Sequence, residues 1–507
     1  MPETSARSQS ATAVPQASGD SQRQQKGILA LLCGCVVLVV GMVAAINLAI
    51  PKIGGSGLHP SSSQMLWIVD SYVIVFAGLL IPAGVLGDHY GHKKALVAGL
   101  TTFCAGSVVS ALAPGTAVLI TGRAVTGVGA ALVLPPSLSV VVHVFAPAQR
   151  PHVIATWTAM TGLGGVIGNL GGGVLLQFLS WRALFFAAAP VALALLVLVA
   201  VAVPSTPKRD VTPDTVGSVL LVAGFLALLY SIIEGPEKGW SSVPVLSGFA
   251  AAALLLAAFT AYELRRTHPL LDPRLFRLPK IRAGALGIGA TFFGMFALFY
   301  VNAQYLQYVK GFSALMTGLG ILPLAVGMLL VSRRSVPLAK RFGASGLVAV
   351  GMLCIVAGLL LLSLADRHTP YPLYALFLVV MAVGAGLSAP SLSFGIMSSL
   401  PPHQAGLGSG INSSTRELGS ALGVAVVGTV LNTQFTDALP DALRERVHST
   451  AQALGESTSL GTAEHLRVVD SFAQAMDNGY RMVAGVMIVV SVLVLTWIRK
   501  RDTDPSA

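Results

Sequence analysis

The sequence predicts an all-α polytopic membrane protein, and three observations carry that expectation. Of its 507 residues, 54% are hydrophobic and only 10% are charged, against about 25% charged in an ordinary soluble domain. The apolar residues gather into about fourteen runs, each near the ~20 residues that a helix needs to cross a hydrocarbon core. Lys and Arg fall in short clusters between alternate runs, the pattern that marks cytoplasmic loops. The formal charge of +11 therefore reads as topology and argues against a nucleic-acid partner.

Taken in order, residues 1–26 are rich in Ser, Gln, Ala and Pro and read as a disordered cytoplasmic tail. The first apolar run is too long, and lacks the cleavage pattern, for a signal peptide. Six runs follow, at about 27–50, 64–86, 95–113, 117–144, 152–178 and 182–203, giving an N-terminal bundle over 27–203. Two more, at about 214–234 and 244–264, lie in an insert over 204–281. The last six, at about 282–308, 312–334, 343–364, 371–398, 405–433 and 479–498, give a C-terminal bundle over 282–498 and leave a tail at 499–507. Lys93, Lys94, Arg150, Lys208, Arg209, the cluster from Arg265 to Arg282, Arg333, Arg334 and Arg499 share one side, so both termini are expected in the cytoplasm. An even number of spans requires the same. The outer segment at about 434–478 repeats Leu439, Leu443, Val447 and then Leu466, Val469, Phe472 at helical spacing. Short amphipathic helices are expected there, as a solvated connector or as a lid.

Leu338-Ala339-Lys340-Arg341-Phe342-Gly343 aligns with Leu86-Gly87-Asp88-His89-Tyr90-Gly91. The same offset relates the starts of the fifth and thirteenth runs, so the last six runs repeat the first six. Cys33, Cys35, Cys104 and Cys354 all lie inside apolar runs, and Cys-x-Cys is not a zinc spacing. No metal cluster, P-loop or nucleophile elbow is present, so no metal, no cofactor and no enzyme chemistry are expected.

Ionisable side chains inside apolar runs cost about 2.5–3.5 kcal/mol at the bilayer centre, so each needs a partner or a function. Asp70 and Arg123 each lie about six residues into their runs, on the same side of the membrane and roughly 10 Å deep at 1.5 Å per residue. A buried or half-buried interaction between them is expected. It reads either as a fixed ion pair that specifies packing or as a proton carrier with its electrostatic control. Arg416 and Glu417 sit a dozen residues into the thirteenth run. Neighbouring side chains on a helix point about 100° apart, which predicts that the two do not pair and that at least one reaches another helix. Glu417 is a second protonation candidate, or part of a structural network. Asn47 on the first run and Tyr300, Asn302 and Gln304 on the ninth, with Arg416, offer aromatic and amide groups for an amphipathic organic ligand. An outer aromatic belt through Tyr305 and Tyr308 is the alternative.

Between the second and third runs stands Gly84-Val85-Leu86-Gly87-Asp88-His89-Tyr90-Gly91-His92-Lys93-Lys94. Gly91 suits a sharp turn, and Asp88 suits a helix-terminal partner. This string resembles the signature loop of the major facilitator superfamily (MFS), in which it forms the cytoplasmic gate. His89 and His92 stand where that family usually has Arg, as tolerated variation or as a pH-sensitive gate. The string Arg123-Ala124-Val125-Thr126-Gly127-Val128-Gly129 resembles the family's fourth-helix motif, whose Arg is linked to proton transfer. Gly406 to Gly419, rich in small and polar residues, resembles the thirteenth helix of the fourteen-helix drug:proton antiporters. Gly164, Gly168, Asn169 and Gly172 resemble the antiporter motif of the fifth helix, with Asn169 replacing its Pro; tight crossing at the bundle interface is expected. Met42 stands where those relatives carry an acid. The string Glu234-Gly235-Pro236-Glu237-Lys238-Gly239-Trp240 resembles their loop after the seventh helix, with Gly-Pro expected to end that helix.

The resemblance implies the MFS fold, two six-helix bundles plus two central helices. It implies proton-coupled efflux of an organic drug or toxic amphiphile across the plasma membrane by alternating access, from a functional monomer in contact with lipid. A dedicated metabolite exporter, an uncoupled facilitator and a non-transporting sensor are the alternatives.

Overall fold

The computed structural model describes residues 19–146, 149–206, 214–266, 269, 271–400, 405–439, 450–457 and 461–502. Helices α1 (Gly19–Gly54), α2 (Ser62–Tyr90), α3 (His92–Ala111), α4 (Thr116–Val144), α5 (Arg150–Phe178) and α6 (Arg182–Ala202) pack with one another as the N-terminal half. Helices α9 (Pro279–Gln304), α10 (Ala314–Gly320), α11 (Leu322–Phe342), α12 (Ala344–Leu362), α13 (Tyr371–Met397), α14 (Ala405–Asp437) and α16 (Thr462–Asp502) form the C-terminal half. Between them stand α7 (Thr215–Lys238) and α8 (Val243–Glu263), with a short 3-10 turn at Pro273–Arg277 and a small outer helix α15 (Thr450–Ser457). Thirteen spans, with α10 and α11 joined as one, are long and apolar enough to cross a membrane. Helix α5 adds a fourteenth through its apolar stretch Leu163–Phe178.

Two faces follow from this order. One, called here the basic face, carries the start of α1 and the end of α16 together with Lys93, Lys94, Arg150 and Arg333. The other is the far face.

Lipid offers no hydrophobic drive between helices, so close backbone approach through small residues holds the bundles together. In the N-terminal half a Cβ on Gly99 would lie 2.9 Å from the Gly129 carbonyl, which seats α3 on α4. Gly419 and Gly423 of α14 lie directly on the Gly289 and Phe293 carbonyls of α9 and do the same in the other half.

The internal repeat is visible in the backbone. Helix α2 starts on a capping box, with the Ser61 hydroxyl accepting from Gln64 N–H at 3.2 Å and the Gln64 side chain accepting from Ser61 N–H at 3.0 Å. It runs unbroken through Asp88 and stops at Gly91, the single non-helical residue before α3, at φ +96°. Helix α11 stops the same way at Gly343, φ +79°. Both positions need the left-handed backbone that glycine alone adopts without cost.

Several boundaries differ from the sequence reading. Helix α1 begins at Gly19 instead of near residue 27, and Gln25 donates to the Val144 carbonyl at 3.2 Å, tying this extra turn to α4. Helix α7 passes through Gly235-Pro236 and ends at Gly239, φ +88°, so Gly-Pro does not end it. Proline near a helix end gives up one backbone hydrogen bond, and here Glu234, Glu237 and Lys238 hold the last turn in place through side-chain contacts. The outer segment is more helical than a connector, since α14 continues to Asp437 and α16 begins at Thr462. Val469 and Phe472 are buried, Leu466 is exposed, and Leu443 and Val447 lie outside the described residues.

Replacing Gly91 or Gly343 with Ala is expected to destabilise the purified protein by about 1–2 kcal/mol per site. Gly346→Ala, on a helix with open space for a methyl group, should leave the unfolding temperature unchanged or slightly raised. Thermal unfolding in detergent measures both, and a neutral Gly91→Ala would contradict the role given to that turn.

Candidate functional site

Asp70 sits eight residues into α2, and Arg123 seven residues into α4. Both are completely buried. They do not form the ion pair that their equal depth suggests. Arg123 Nε donates to the Ile68 carbonyl at 2.9 Å and Nη2 to the Val69 carbonyl at 3.3 Å. Its guanidinium lies over the Tyr72 ring, 4.6 Å from the centroid. The physical reason is that helix carbonyls keep a second lone pair after their helical hydrogen bond. A planar cation on the facing helix reaches two of them at once. Tyr72 in turn donates to the Val39 carbonyl of α1 at 3.0 Å, so one cluster binds α1, α2 and α4.

Both Asp70 carboxylate oxygens are buried without a hydrogen-bond partner, as is Arg123 Nη1. Arg123 and Tyr300 of α9 lie within electrostatic range of Asp70. The acid therefore stands at the meeting of the two halves. Tyr300 itself meets Gln304 and Asn432, and Asn432 accepts from Thr450 at 3.1 Å.

The second expected pair behaves in the opposite way. Arg416 Nε and Nη2 both donate to Glu417 Oε1, at 2.9 and 2.7 Å. The angle between neighbouring side chains had excluded this, but the arginine stem is long enough to curl back across it. The guanidinium also lies over the Phe292 ring at 5.6 Å. Glu417 is thus buried with a partner, and Asp70 is buried without one.

The amide groups collect at one spot. Asn47 of α1, Asn169 of α5, Asn302 of α9 and Thr317 of α10 line a void of about 10 Å³ between the halves, room for about one water. Asn47 Oδ1 has no partner. Asn169 donates to its own helix at Gly165, and Asn302 accepts from Tyr374 at 2.8 Å. Tyr300 and Gln304 are also buried, on the same helix but off this void. The aromatic-belt alternative fails for Tyr305, which is fully buried, stacks on Tyr374 at 4.8 Å and donates to the Asp366 carbonyl at 2.8 Å.

Several close contacts between the halves lie on the far-face side of this level. Gln307, on a π turn at Tyr305–Val309 that ends α9, donates to the Leu48 carbonyl at 3.3 Å. A Cβ on Gly318 would lie 2.7 Å from the Asn169 carbonyl, and one on Gly173 would lie 2.9 Å from the Ala314 carbonyl. Gly164, Gly168 and Gly172 instead serve α1, against Val37, Gly41 and Ala45 within the N-terminal half. On the fifth helix it is Asn169 and Gly173 that meet the other bundle. The loop beside the far-face closure is braced by Asp366, whose carboxylate accepts from Thr369 Oγ1 and N–H, both at 2.7 Å, and from His368 N–H at 3.0 Å. The Thr369 hydroxyl, with these N–H groups, holds that carboxyl below its ordinary value. Its contribution to loop order is therefore present at neutral pH and lost as pH falls through the lowered value.

On the basic face the residues of the loop between α2 and α3 contact one another and the chain just after α6. Asp88 meets His92 at 3.3 Å, one turn on, and His92 N–H donates to the Thr206 hydroxyl at 2.8 Å. His89 stacks edge-on against Tyr90 at 4.6 Å. Gly87 leaves room for the His92 ring, and Gly84 lies near Pro135. Lys93 is half-buried beside them. Asp88 thus acts within the hairpin and does not cap a helix N-terminus.

Sequence reasoning missed Tyr72, Tyr374 and Asn432. A single tyrosine or amide in an apolar run reads as packing until its neighbour is known.

Two helical halves around a polar, partly unpaired interior, joined at one face, define a multi-pass transporter. The chain belongs to the Major Facilitator Superfamily, whose model matches residues 32–424. It is similar to the cephamycin export protein CmcT of Amycolatopsis lactamdurans, 35% identical over 79% of this chain and 84% of the relative. It is also similar to the tetracenomycin C resistance and export protein of Streptomyces glaucescens, 30% identical over 97% of this chain and 94% of the relative. Its fold matches a bacterial homolog of the human lysosomal transporter Spinster with TM-score 0.63 at 16% identity, over 94% of this chain and 96% of that one. Membership makes the chain a multi-pass transporter of small molecules in the cell membrane.

Arg123→Leu is expected to cost about 3–5 kcal/mol, as removal of one buried charge from a cluster does. Adding Asp70→Asn should recover part of that loss, because Asp70 lies within electrostatic range of the guanidinium and its neutral replacement has no such dependence on it. A double-mutant cycle on thermal stability reads the coupling. Strict additivity would show that the two residues do not interact.

Proposed function

We propose that this protein exports organic drugs or antibiotics across the plasma membrane in exchange for protons, by alternating access. The basic face is the cytoplasmic one, with both termini on it. Because the halves are joined toward the far face, the state described here is the one that opens toward the cytoplasm. An organic solute enters from there and rises between the halves toward Asn47, Asn302 and the buried aromatic groups of α9. Export is the direction named for the cephamycin and tetracenomycin relatives. The chain works as a monomer, since both halves of the pathway lie in one polypeptide.

The observation that carries this reading is the contrast between the two buried acids. A charge on Glu417 is met by Arg416. A charge on Asp70 has no hydrogen-bond donor in this arrangement: Arg123 sends Nε and Nη2 to the α2 carbonyls, and its unpaired Nη1 does not hydrogen-bond the carboxylate. Closure of the basic face and opening of the far face would move α2 against α4 and α9. That motion lets water or Arg123 reach Asp70, so proton release and the change of facing state are linked. Arg123 is the positioning group and Asp70 the carrier. Glu417 keeps Arg416 oriented and is a secondary proton site. Gly84, Asp88, His89, Gly91, His92 and Lys93 form the cytoplasmic gate.

A second reading is favoured by Met42, which is buried and not ionisable where related antiporters place an acid. It makes strongly cationic drugs poor substrates and narrows the range toward neutral or zwitterionic compounds.

In inverted vesicles, Asp70→Asn is expected to abolish uptake driven by a pH gradient while leaving the protein inserted. Glu417→Gln is expected to reduce the rate several-fold without removing the dependence on the gradient. Full gradient dependence in Asp70→Asn would rule that residue out as the carrier.

A further inference from the structure

A cavity of about 240 Å³ lies between α2, α7, α8 and α14, away from the asparagine-lined spot between the halves. Ala77 and Gly78 of α2, Leu221 of α7, Phe259 of α8, Ser414 of α14 and Phe276 of the 3-10 turn contribute to its wall. Its place follows from how the insert is held. Toward the far face, α7 is clamped to both halves: Trp67 Nε1 donates to Glu234 at 3.0 Å, Ser63 to Glu237 at 2.6 Å, and Thr429 to the Ile232 carbonyl at 3.1 Å. Toward the basic face α2 still touches α7, at Gly78 and Val222, and the cavity lies beside that contact, between it, α8 and α14. On its outer side α7 and α8 expose Val216, Val219 and Leu254, so the medium beyond them is hydrocarbon.

The rim carries charge. The short turn Pro273–Arg277 sends Phe276 into the cavity and leaves Arg274, Arg277 and Lys280 exposed. Arg274 is engaged with the Leu264 carbonyl at 3.1 Å. Arg277 and Lys280 have no ion-pair partner among the described residues. An apolar recess beside lipid, with two exposed and unpaired cations in the four residues that follow its Phe276 wall, matches a molecule with a hydrocarbon tail and an anionic head.

We propose that the cavity binds an anionic phospholipid of the cytoplasmic leaflet. One acyl chain fills the space between the insert and the two halves, and the phosphate rests on Arg277 and Lys280. An empty apolar void deprives its wall of dispersion partners, so the tail stabilises the open arrangement of α2 and α14. Juxtamembrane Lys and Arg each attract an anionic headgroup. The lipid acts as a wedge that favours the state described here. The placement in the cytoplasmic leaflet rests on the sidedness proposed above.

The test uses the purified full chain, stripped of lipid and titrated with phosphatidylglycerol or with phosphatidylcholine of the same acyl chains. Bound lipid is read by native mass spectrometry. The expected result is a single tightly held phosphatidylglycerol, with phosphatidylcholine held roughly tenfold more weakly. Thr260→Phe, which fills the cavity from an exposed position on α8, should weaken retention of both lipids roughly tenfold. Arg277→Gln with Lys280→Gln should erase the headgroup preference and keep the residual tail binding. Equal retention of the two lipids by the native chain, or an unchanged Thr260→Phe, would overturn the proposal. Displacement of phosphatidylglycerol by an exported drug would assign the cavity to substrate and overturn it as well. Lipid mass is read without transport, so this outcome and the outcome of the export experiment are independent.

Discussion

The hold of Arg123 on the backbone of α2 is the constraint from which the rest of the interior follows. A guanidinium with no access to water must find acceptors, and it takes the Ile68 and Val69 carbonyls and the face of Tyr72. Tyr72 extends the same cluster to α1 through Val39. Three helices of the N-terminal half are thereby fixed at one level of the membrane. The cation within electrostatic range of Asp70 turns two of its N–H groups to these carbonyls, and its unpaired Nη1 does not hydrogen-bond the acid. The acid is left facing the C-terminal half, where Tyr300 is its neighbour. An interaction that specifies packing and an acid left without a partner are thus two consequences of one geometry. The choice between a structural ion pair and a proton site does not have to be made.

Around that level the molecule is asymmetric along the membrane normal. The far-face side is knitted by short-range contacts that only small residues permit, at Gly173 and Gly318, and by Gln307 reaching α1 from a π turn. The basic-face side has its gate residues turned inward on their own half, with Asp88 on His92 and His92 on Thr206. The insert helices repeat this asymmetry. They are clamped by Glu234 and Glu237 at one end and bordered by a cavity, beside the Gly78–Val222 contact, toward the other. The C-terminal half carries the matching turn at Gly343.

Much of this was legible in the sequence. Apolar runs of sufficient length gave the helices, because a spanning helix must satisfy every backbone group internally and must face lipid with hydrocarbon. Gly91 and Gly343 were readable because only one residue type takes that backbone conformation. Asp70 and Arg123 stood out because charges are rare in such runs, and equal depth put them on the same level. Their actual partners were not readable. A carbonyl oxygen is present at every residue and leaves no mark in sequence, so the preference of Arg123 for Ile68 and Val69 could not be foreseen. The pairing of Arg416 with Glu417 depends on a rotamer, and the passage of α7 through Pro236 depends on tertiary clamps. The division of labour in α5 also needed coordinates, because four of its small residues look alike until their neighbours are known.

The central claim is that the charge on Asp70 decides which face is open, and a distance measured across the cytoplasmic mouth tests it most directly. Spin labels at Lys94→Cys and Ala344→Cys, on a background lacking the four native cysteines, report the separation of the two halves at that face. The account predicts two populations in the native sequence whose ratio shifts with pH, and one pH-independent distribution in Asp70→Asn. A distribution in Asp70→Asn that still shifts with pH as the native one does would contradict it.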